Sequence, residues 1–222
     1  MLEKLLILDG VTLLAGDGRV VFRDLHWRLD RGARLHMRGG TGGGATALLR
    51  LAAGIAQPET GRVLLEGLPL DGGAHPFLAR GALGWVPSDG GLLVNLSLLD
   101  NVALPLRFAL NLPKAEARDQ ALAWLERAGL ADRALARPHV PGDGQAWLTA
   151  LARAAAKGSQ LWLVDRPSGG LDPASVRAAA AILTAAGQDP AVTQVLVGGE
   201  WMAALGEDLR FEDGTLRTGR QA

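Results

Sequence analysis

Residues 39–46 read Gly-Gly-Thr-Gly-Gly-Gly-Ala-Thr, set between a short apolar run, Arg34–Arg38, and a helix-like run, Ala47–Gly54. That succession limits the chain to few architectures. Glycine adopts backbone conformations closed to other residues, so consecutive N–H groups can turn toward one point. A buried strand, such a loop and a helix N-terminus form an anion site, because the first helical amides lack internal partners and the helix dipole is positive there. The spacing fits the phosphate-binding pattern G-x-x-x-x-G-K-[ST], with Gly39 as the first glycine, Gly44 as the last and Thr46 at the magnesium-binding hydroxyl. Ala45 stands where the pattern requires lysine. The loop Gly39, Gly40, Thr41, Gly42, Gly43, Gly44, Ala45 and Thr46 therefore reads as a phosphate cradle without its cation. The plainer alternative is a flexible turn; the order of the downstream motifs argues against it.

Upstream of the loop, Leu5–Leu8, Val11–Leu14, Val20–Phe22 and Leu25–Leu29 are short apolar runs with turn residues such as Gly16-Asp17-Gly18 between them. They predict antiparallel strands and hairpins. Strands are also expected near Arg62–Glu66 and Leu83–Val86. From about Leu92 to Ala155 helical periodicity dominates. Leu112–Gly129 carries proline near its start and glycine at its end, with apolar Ala117, Leu122, Trp124, Leu125 and Ala128 at roughly helical spacing. Gln160–Val164 and Thr193–Val197 have the length and apolarity of buried parallel strands, and Leu209–Arg217 reads as a hairpin around Asp213-Gly214.

At 222 residues the chain can form one large domain or a core with a small inserted subdomain. With 23 basic and 23 acidic residues, and no basic stripe, nucleic acid is not an expected partner. The absence of cysteine excludes disulfides and thiolate metal sites. His26, His36, His75 and His139 are scattered singly, a pattern that favours structural roles over metal ligation. The N-terminal run Met1–Asp9 has charges among its apolar residues and no small-residue cleavage site, unlike a signal peptide. No run of about 18 apolar residues is present, so a cytoplasmic protein is expected, with any membrane role exercised through a partner.

Over nearly its whole length the chain resembles the ATP-binding subunit of an ABC transporter. The resemblance rests on the glycine loop, Gly54 and Gly61 around a turn, Val86-Pro87, Ala152-Arg153-Ala154 and, most specifically, Leu161–Pro173 (Leu-Trp-Leu-Val-Asp-Arg-Pro-Ser-Gly-Gly-Leu-Asp-Pro). This last stretch looks like the family's Walker B strand and D-loop, with Asp165, Arg166 and Asp172 at the motif positions. The resemblance implies an α/β fold: a P-loop NTPase (RecA-like) core with an N-terminal antiparallel β subdomain and an inserted helical subdomain. Residues 1–91 and 156–222 would form the core, and 92–155 the helical (signature) subdomain. The segment Gly91–Leu106 most resembles ATPases of bacterial lipid-trafficking systems, where it helps form the groove receiving a permease's coupling helix.

The chemical positions depart from the family pattern. Leu13–Gly16 lacks the aromatic that stacks on adenine, a contact worth about 1–3 kcal/mol. Ser88 aligns with the glutamine that links magnesium and water to the coupling loop. Asp165 keeps the carboxylate expected to hold magnesium, but Arg166 replaces the catalytic glutamate, and a guanidinium cannot take a proton from water near pH 7. Gly199 aligns with the switch histidine. The signature motif aligns with Pro141–Gln145, so Gly142, Asp143, Gly144 and Gln145 stand where a serine hydroxyl and glycine amides should close over the opposite subunit's γ-phosphate. An aspartate about 5 Å from a phosphate charge is repelled by roughly 3 kcal/mol at an effective dielectric near 20.

The resemblance implies Mg-ATP as the family's ligand, held through Thr46 and Asp165 where magnesium binds. The departures predict no catalytic residue, no required cofactor and at most weak Mg-ATP binding. The partners implied are an integral membrane permease and a second ATPase subunit, in a homodimer or heterodimer, at the cytoplasmic face of the inner membrane. Charges have not entered Leu161–Val164 or Val195–Val197, so the apolar core pattern is kept while the chemistry is absent. A weak nucleotide binder that still drives transport with a partner is the alternative. Arg166 is expected to pair with Asp165, to reach into the phosphate site, or to face solvent.

Overall fold

In the computed structural model, which describes residues 3–38, 44–138, 144–212 and 215–219, the four short N-terminal runs merge into two long antiparallel strands, β1 (Lys4–Leu14) and β2 (Val20–Asp30). Gly16-Asp17-Gly18 forms the expected turn between them, while the interruptions within each strand are bulges. Gly10 (φ 63°) and Asp24 (φ 51°) take left-handed conformations, and the register shifts between Leu8 and Val11, so the strands continue past the irregularity. After β3 (Arg34–Arg38), α1 (Ala45–Ala52) starts two residues ahead of the apolar run that predicted it. β4 (Thr60–Leu65) and β5 (Leu68–Pro69) complete a four-stranded sheet in the order β2-β1-β4-β5.

α2 (Pro76–Ala79) and β6 (Leu83–Val86) lead to three further helices, α3 (Leu98–Phe108), α4 (Lys114–Arg127) and α5 (Gly144–Ala156). Helical structure begins at Leu98 rather than Leu92, where the Ser97 hydroxyl accepts from the Asp100 N–H at 3.0 Å. The buried stripe of α4 is Ala117, Ala121 and Leu125, continued by Ala128. Leu122 and Trp124 lie at its margin, and the Arg127 guanidinium covers the Trp124 ring at 4.3 Å.

β7 (Leu161–Val164), α6 (Pro173–Ala186), β8 (Thr193–Gly198), α7 (Glu200–Ala203), β9 (Glu207–Glu212) and β10 (Thr215–Gly219) finish the chain. The second sheet runs β10-β9-β3-β8-β7-β6, with β3, β8, β7 and β6 parallel to one another. Its central strands are buried on both faces, which is why they read as unbroken apolar runs. Leu161 and Leu163 face a cluster shared with the antiparallel sheet and α1, while Trp162 and Val164 face one shared with α3, α5 and α6. The α/β fold is the one expected from the sequence.

Candidate functional site

The parallel sheet gathers the candidate residues because each follows the carboxyl end of a strand. Gly44–Thr46 come after β3, Ser88 after β6, Asp165 and Arg166 after β7, and Gly199 after β8. Open α/β sheets bind ligands along this edge. Gly39–Gly43, His139 and Pro141–Asp143 lie outside the described residues, as do Asp213 and Gly214 of the terminal hairpin.

Gly44 caps α1 with φ 73°, a conformation that suits glycine, and a Cβ there would lie 2.9 Å from the Phe22 ring. Phe22 is paired with Leu13 across β1 and β2 and is 2% exposed, so its ring offers no open face for a base. Ala45 is buried and begins the helix. Thr46 donates its hydroxyl proton to Asp165 Oδ2 at 2.8 Å, so the two residues expected to hold magnesium bond directly to each other.

Asp165 is 2% exposed. Burial pushes its carboxyl above the usual carboxylate range, opposed by the Thr46 hydrogen bond, the Arg166 N–H at 2.9 Å from Oδ1 and the Arg166 charge. Arg166 thus meets Asp165 through its main chain. The expected side-chain pair is not formed: its guanidinium has no ion pair with a described residue.

Ser88 contributes its backbone carbonyl, which accepts from the Ser168 N–H at 2.8 Å. Gly199 caps α7, and a Cβ built there meets nothing within 4 Å, so the missing histidine is not excluded by crowding. Asp172 caps α6, accepting from the Ala174 and Ser175 N–H groups at 2.8 Å each. These bonds hold its exposed carboxyl below the usual range, the Ser175 N–H first among them. Gly144 opens α5 where a Cβ would come within 2.6 Å of Leu171 Cδ2 and 3.2 Å of the Gly170 carbonyl oxygen. Gln145 accepts from Arg133 Nη1 at 3.2 Å.

Two tryptophans that the motifs did not single out frame the site. Trp147 of α5 is fully buried and donates its indole N–H to the Asp165 carbonyl at 2.7 Å. Trp201 of α7 meets the Trp147 ring edge to face, at 6.3 Å between centroids and 86° between planes. No motif or spacing marks either of them in the sequence. Beneath this edge, a groove of about 670 Å³ opens between β6, α3 and α5, lined by Leu83, Trp85, Leu104, Phe108, Arg153 and Lys157 among others. Part of the Gly91–Leu106 segment forms one wall.

The sequence profile of the ABC transporter family matches residues 22–169. The chain belongs to the ABC transporter family. It is 33% identical to an intermembrane phospholipid transport system ATP-binding protein, MlaF, of Haemophilus influenzae, over 79% of this chain and 67% of that protein. It is 32% identical to a lipoprotein-releasing system ATP-binding protein, LolD, of Hyphomonas neptunium, over 77% of this chain and 75% of that protein. A macrolide export ATP-binding/permease protein, MacB, of Sodalis glossinidius is 33% identical over 83% of this chain, which spans only 29% of that relative. In fold the chain is similar to the dimeric ATP-binding cassette MJ0796 bound to ADP and Pi, with a TM-score of 0.84 at 23% identity, over 98% of this chain and 100% of that one. The ABC family binds Mg-ATP. No helix among the described residues is long and apolar enough to cross a membrane.

Proposed function

We propose that this chain is a non-hydrolysing ATP-binding-cassette subunit that docks on a membrane permease and supports transport as a structural or regulatory part. The observation that carries this reading is Arg166 directly after the buried Asp165, at the position where the family's general base stands. Around it, Ala45 supplies no cation for phosphate and Gly199 no side chain for a γ-phosphate. The residues present do not fit Mg-ATP as a hydrolysable ligand, and no hydrolytic step is assigned to them.

Pairing with a competent subunit does not repair this. In a two-site dimer the chain's own site lacks its chemistry, and its partner's site would receive Gly142 and Asp143 in place of the signature serine and glycine. The transported class proposed is lipid or lipoprotein, supported by the names of the MlaF and LolD relatives. The chain would sit at the cytoplasmic face of the inner membrane, held there through the permease.

A second reading, a weak nucleotide binder, has its own support. Gly44 keeps the left-handed turn into α1, and Thr46 and Asp165 remain in place. Calorimetry with Mg-ATP, paired with a phosphate-release assay, separates the two. The proposal expects no heat at millimolar nucleotide and no phosphate release. Binding without turnover would favour the second reading, and turnover would overturn the proposal.

A further inference from the structure

β3 carries His36 at its centre, 1% exposed, between Leu196 of β8 and Asp208 of β9. The ring's Nε2 lies 3.2 Å from the Gly198 carbonyl oxygen. A carbonyl only accepts, so Nε2 carries the proton, and in the neutral ring Nδ1 is left as a bare lone pair. That atom is buried and has no hydrogen-bond partner among the described residues. It faces Oδ1 of Asp208, a carboxylate 7% exposed, across 3.9 Å. Two buried acceptors thus stand opposite each other with no donor between them, an arrangement that protein interiors avoid.

His75 supplies the contrast. It is also buried, and its Nε2 also meets a carbonyl, that of Leu65 at 3.1 Å, but its Nδ1 accepts from the Phe77 N–H at 3.2 Å. Both nitrogens of His75 are used in the neutral form, and a second proton would cost it the Phe77 bond. The same proton on His36 costs no bond and creates one, because Nδ1–H becomes a donor aimed at a carboxylate.

The other charged groups around the ring leave that oxygen to it. From β9, Arg210 donates its Nε to Asp208 Oδ2 at 2.8 Å, on the far side of the carboxylate from the ring. Arg34 and Arg38 share the strand face of His36, two positions to either side. Arg34 is turned toward Gln194, whose Oε1 accepts from its Nε at 3.2 Å, and Arg38 is exposed at the strand end. β8 brings no charged side chain, and α7, packed against β3, brings only the exposed Glu200. The ring also has mechanical reach. β9 joins β3 through just two in-register pairs, Leu35 with Glu207 and His36 with Asp208, and the carbonyl on the ring's other side belongs to the last residue of β8, immediately before Gly199.

We propose that His36 and Asp208 form a proton-operated latch: acidification charges the ring, closes the gap to Oδ1 into an ion-paired hydrogen bond, and ties both β9 and the Gly198–Gly199 segment to β3. The latch needs neither nucleotide nor permease, so it stands apart from the reading of the phosphate site above.

The test follows the imidazole nitrogens of the full chain, labelled with ¹⁵N at histidine, by NMR between about pH 8 and pH 5, the range in which imidazoles ordinarily titrate. His36→Gln assigns the ring. The wild type is expected to pass from the Nε2-protonated neutral form to a doubly protonated ring. Asp208→Asn removes the opposing charge and is expected to move the midpoint to lower pH by about one unit. Arg210→Gln removes the cation that competes for the carboxylate and is expected to move it to higher pH; it alters a largely exposed side chain, so it decides the pairing if Asp208→Asn does not fold. Amide hydrogen exchange at Gly199 and Asp208, compared at equal pH, is expected to be on the order of tenfold slower in the wild type than in Asp208→Asn at the acid end and equal at the alkaline end. A ring that stays singly protonated down to about pH 5, or a midpoint that neither variant moves, overturns the proposal. A midpoint that both variants move, with equal exchange at every pH, overturns the latch and leaves a buried pair without mechanical effect.

Discussion

Trp147 donates its indole N–H to the carbonyl of Asp165 at 2.7 Å, tying the start of α5 to the end of β7 at the centre of the candidate site. The indole is fully buried and is braced on its other side by Trp201 from α7. One side chain therefore joins three elements whose ends form the site edge. Trp147→Phe keeps an aromatic ring but leaves a buried carbonyl without this donor, which costs about 1–3 kcal/mol. Trp147→Ala adds a cavity, at about 3–5 kcal/mol. Urea denaturation is expected to order the proteins as wild type, Phe variant, Ala variant. Equal midpoints for wild type and Trp147→Phe would show that the hydrogen bond contributes nothing.

Asp165 is a second point of strain. Burial raises its folded pKa above the unfolded value of 3.8. For a raised group, the stabilising proton is fully held below the unfolded value, and its contribution is lost as pH rises through the folded value. Above the folded value the buried carboxylate is ionised at a cost. Asp165→Asn keeps an acceptor for the Arg166 N–H and can donate to Thr46, so it is expected to melt a few degrees higher at pH 7.5. The advantage shrinks toward pH 4. A lower melting temperature at every pH would mean that the charge is stabilised by something other than the described contacts.

Much of this was readable in the sequence. The bounds of β3 and β6 match the runs Arg34–Arg38 and Leu83–Val86, and β7 lacks only Gln160 of its run; β7 is buried on both faces, which leaves no polar alternation to confuse it. The Asp-Pro pair at 172–173 suits a helix N-cap and first position, and the structure uses Asp172 as a cap, although the motif reading took the pair only as the end of the D-loop. What stayed hidden depends on contacts between distant residues. Periodicity carries no trace of an indole reaching a carbonyl 18 positions away, or of Phe22 packed under Gly44. The bulges at Gly10 and Asp24 were concealed for a different reason: a bulge and a turn use the same residues, and only pairing with a neighbouring strand tells them apart.

Lys157 supplies a pH signature in the opposite direction. Its folded pKa falls to about 8 from 10.5, so between those values the unfolded chain holds a proton that the native protein has released. Stability therefore rises with pH across that window. Lys157→Met removes the buried charge and is expected to melt above the wild type at pH 7, with the gap closing by about pH 10. Groups titrating in both proteins cancel in the difference. A gap independent of pH would place the lysine charge in solvent.

Restoring the family's residues tests how far the site has departed from it. Gly199→His enters open space and is expected to leave the melting temperature unchanged. Ala45→Lys must carry a long side chain out from a buried helix start, and Arg166→Glu sets a second carboxylate beside one that burial already disfavours. The variant combining these with Ser88→Gln is expected to bind Mg-ATP measurably by calorimetry, since the cation opposite the phosphates is back. Hydrolysis is not expected from it, because Gly142 and Asp143 still stand where a serine and a glycine amide would close on the partner's nucleotide. Phosphate release is expected only after Gly142→Ser and Asp143→Gly are added. Turnover by the fourfold variant alone would mean that the signature-like segment is competent as it stands.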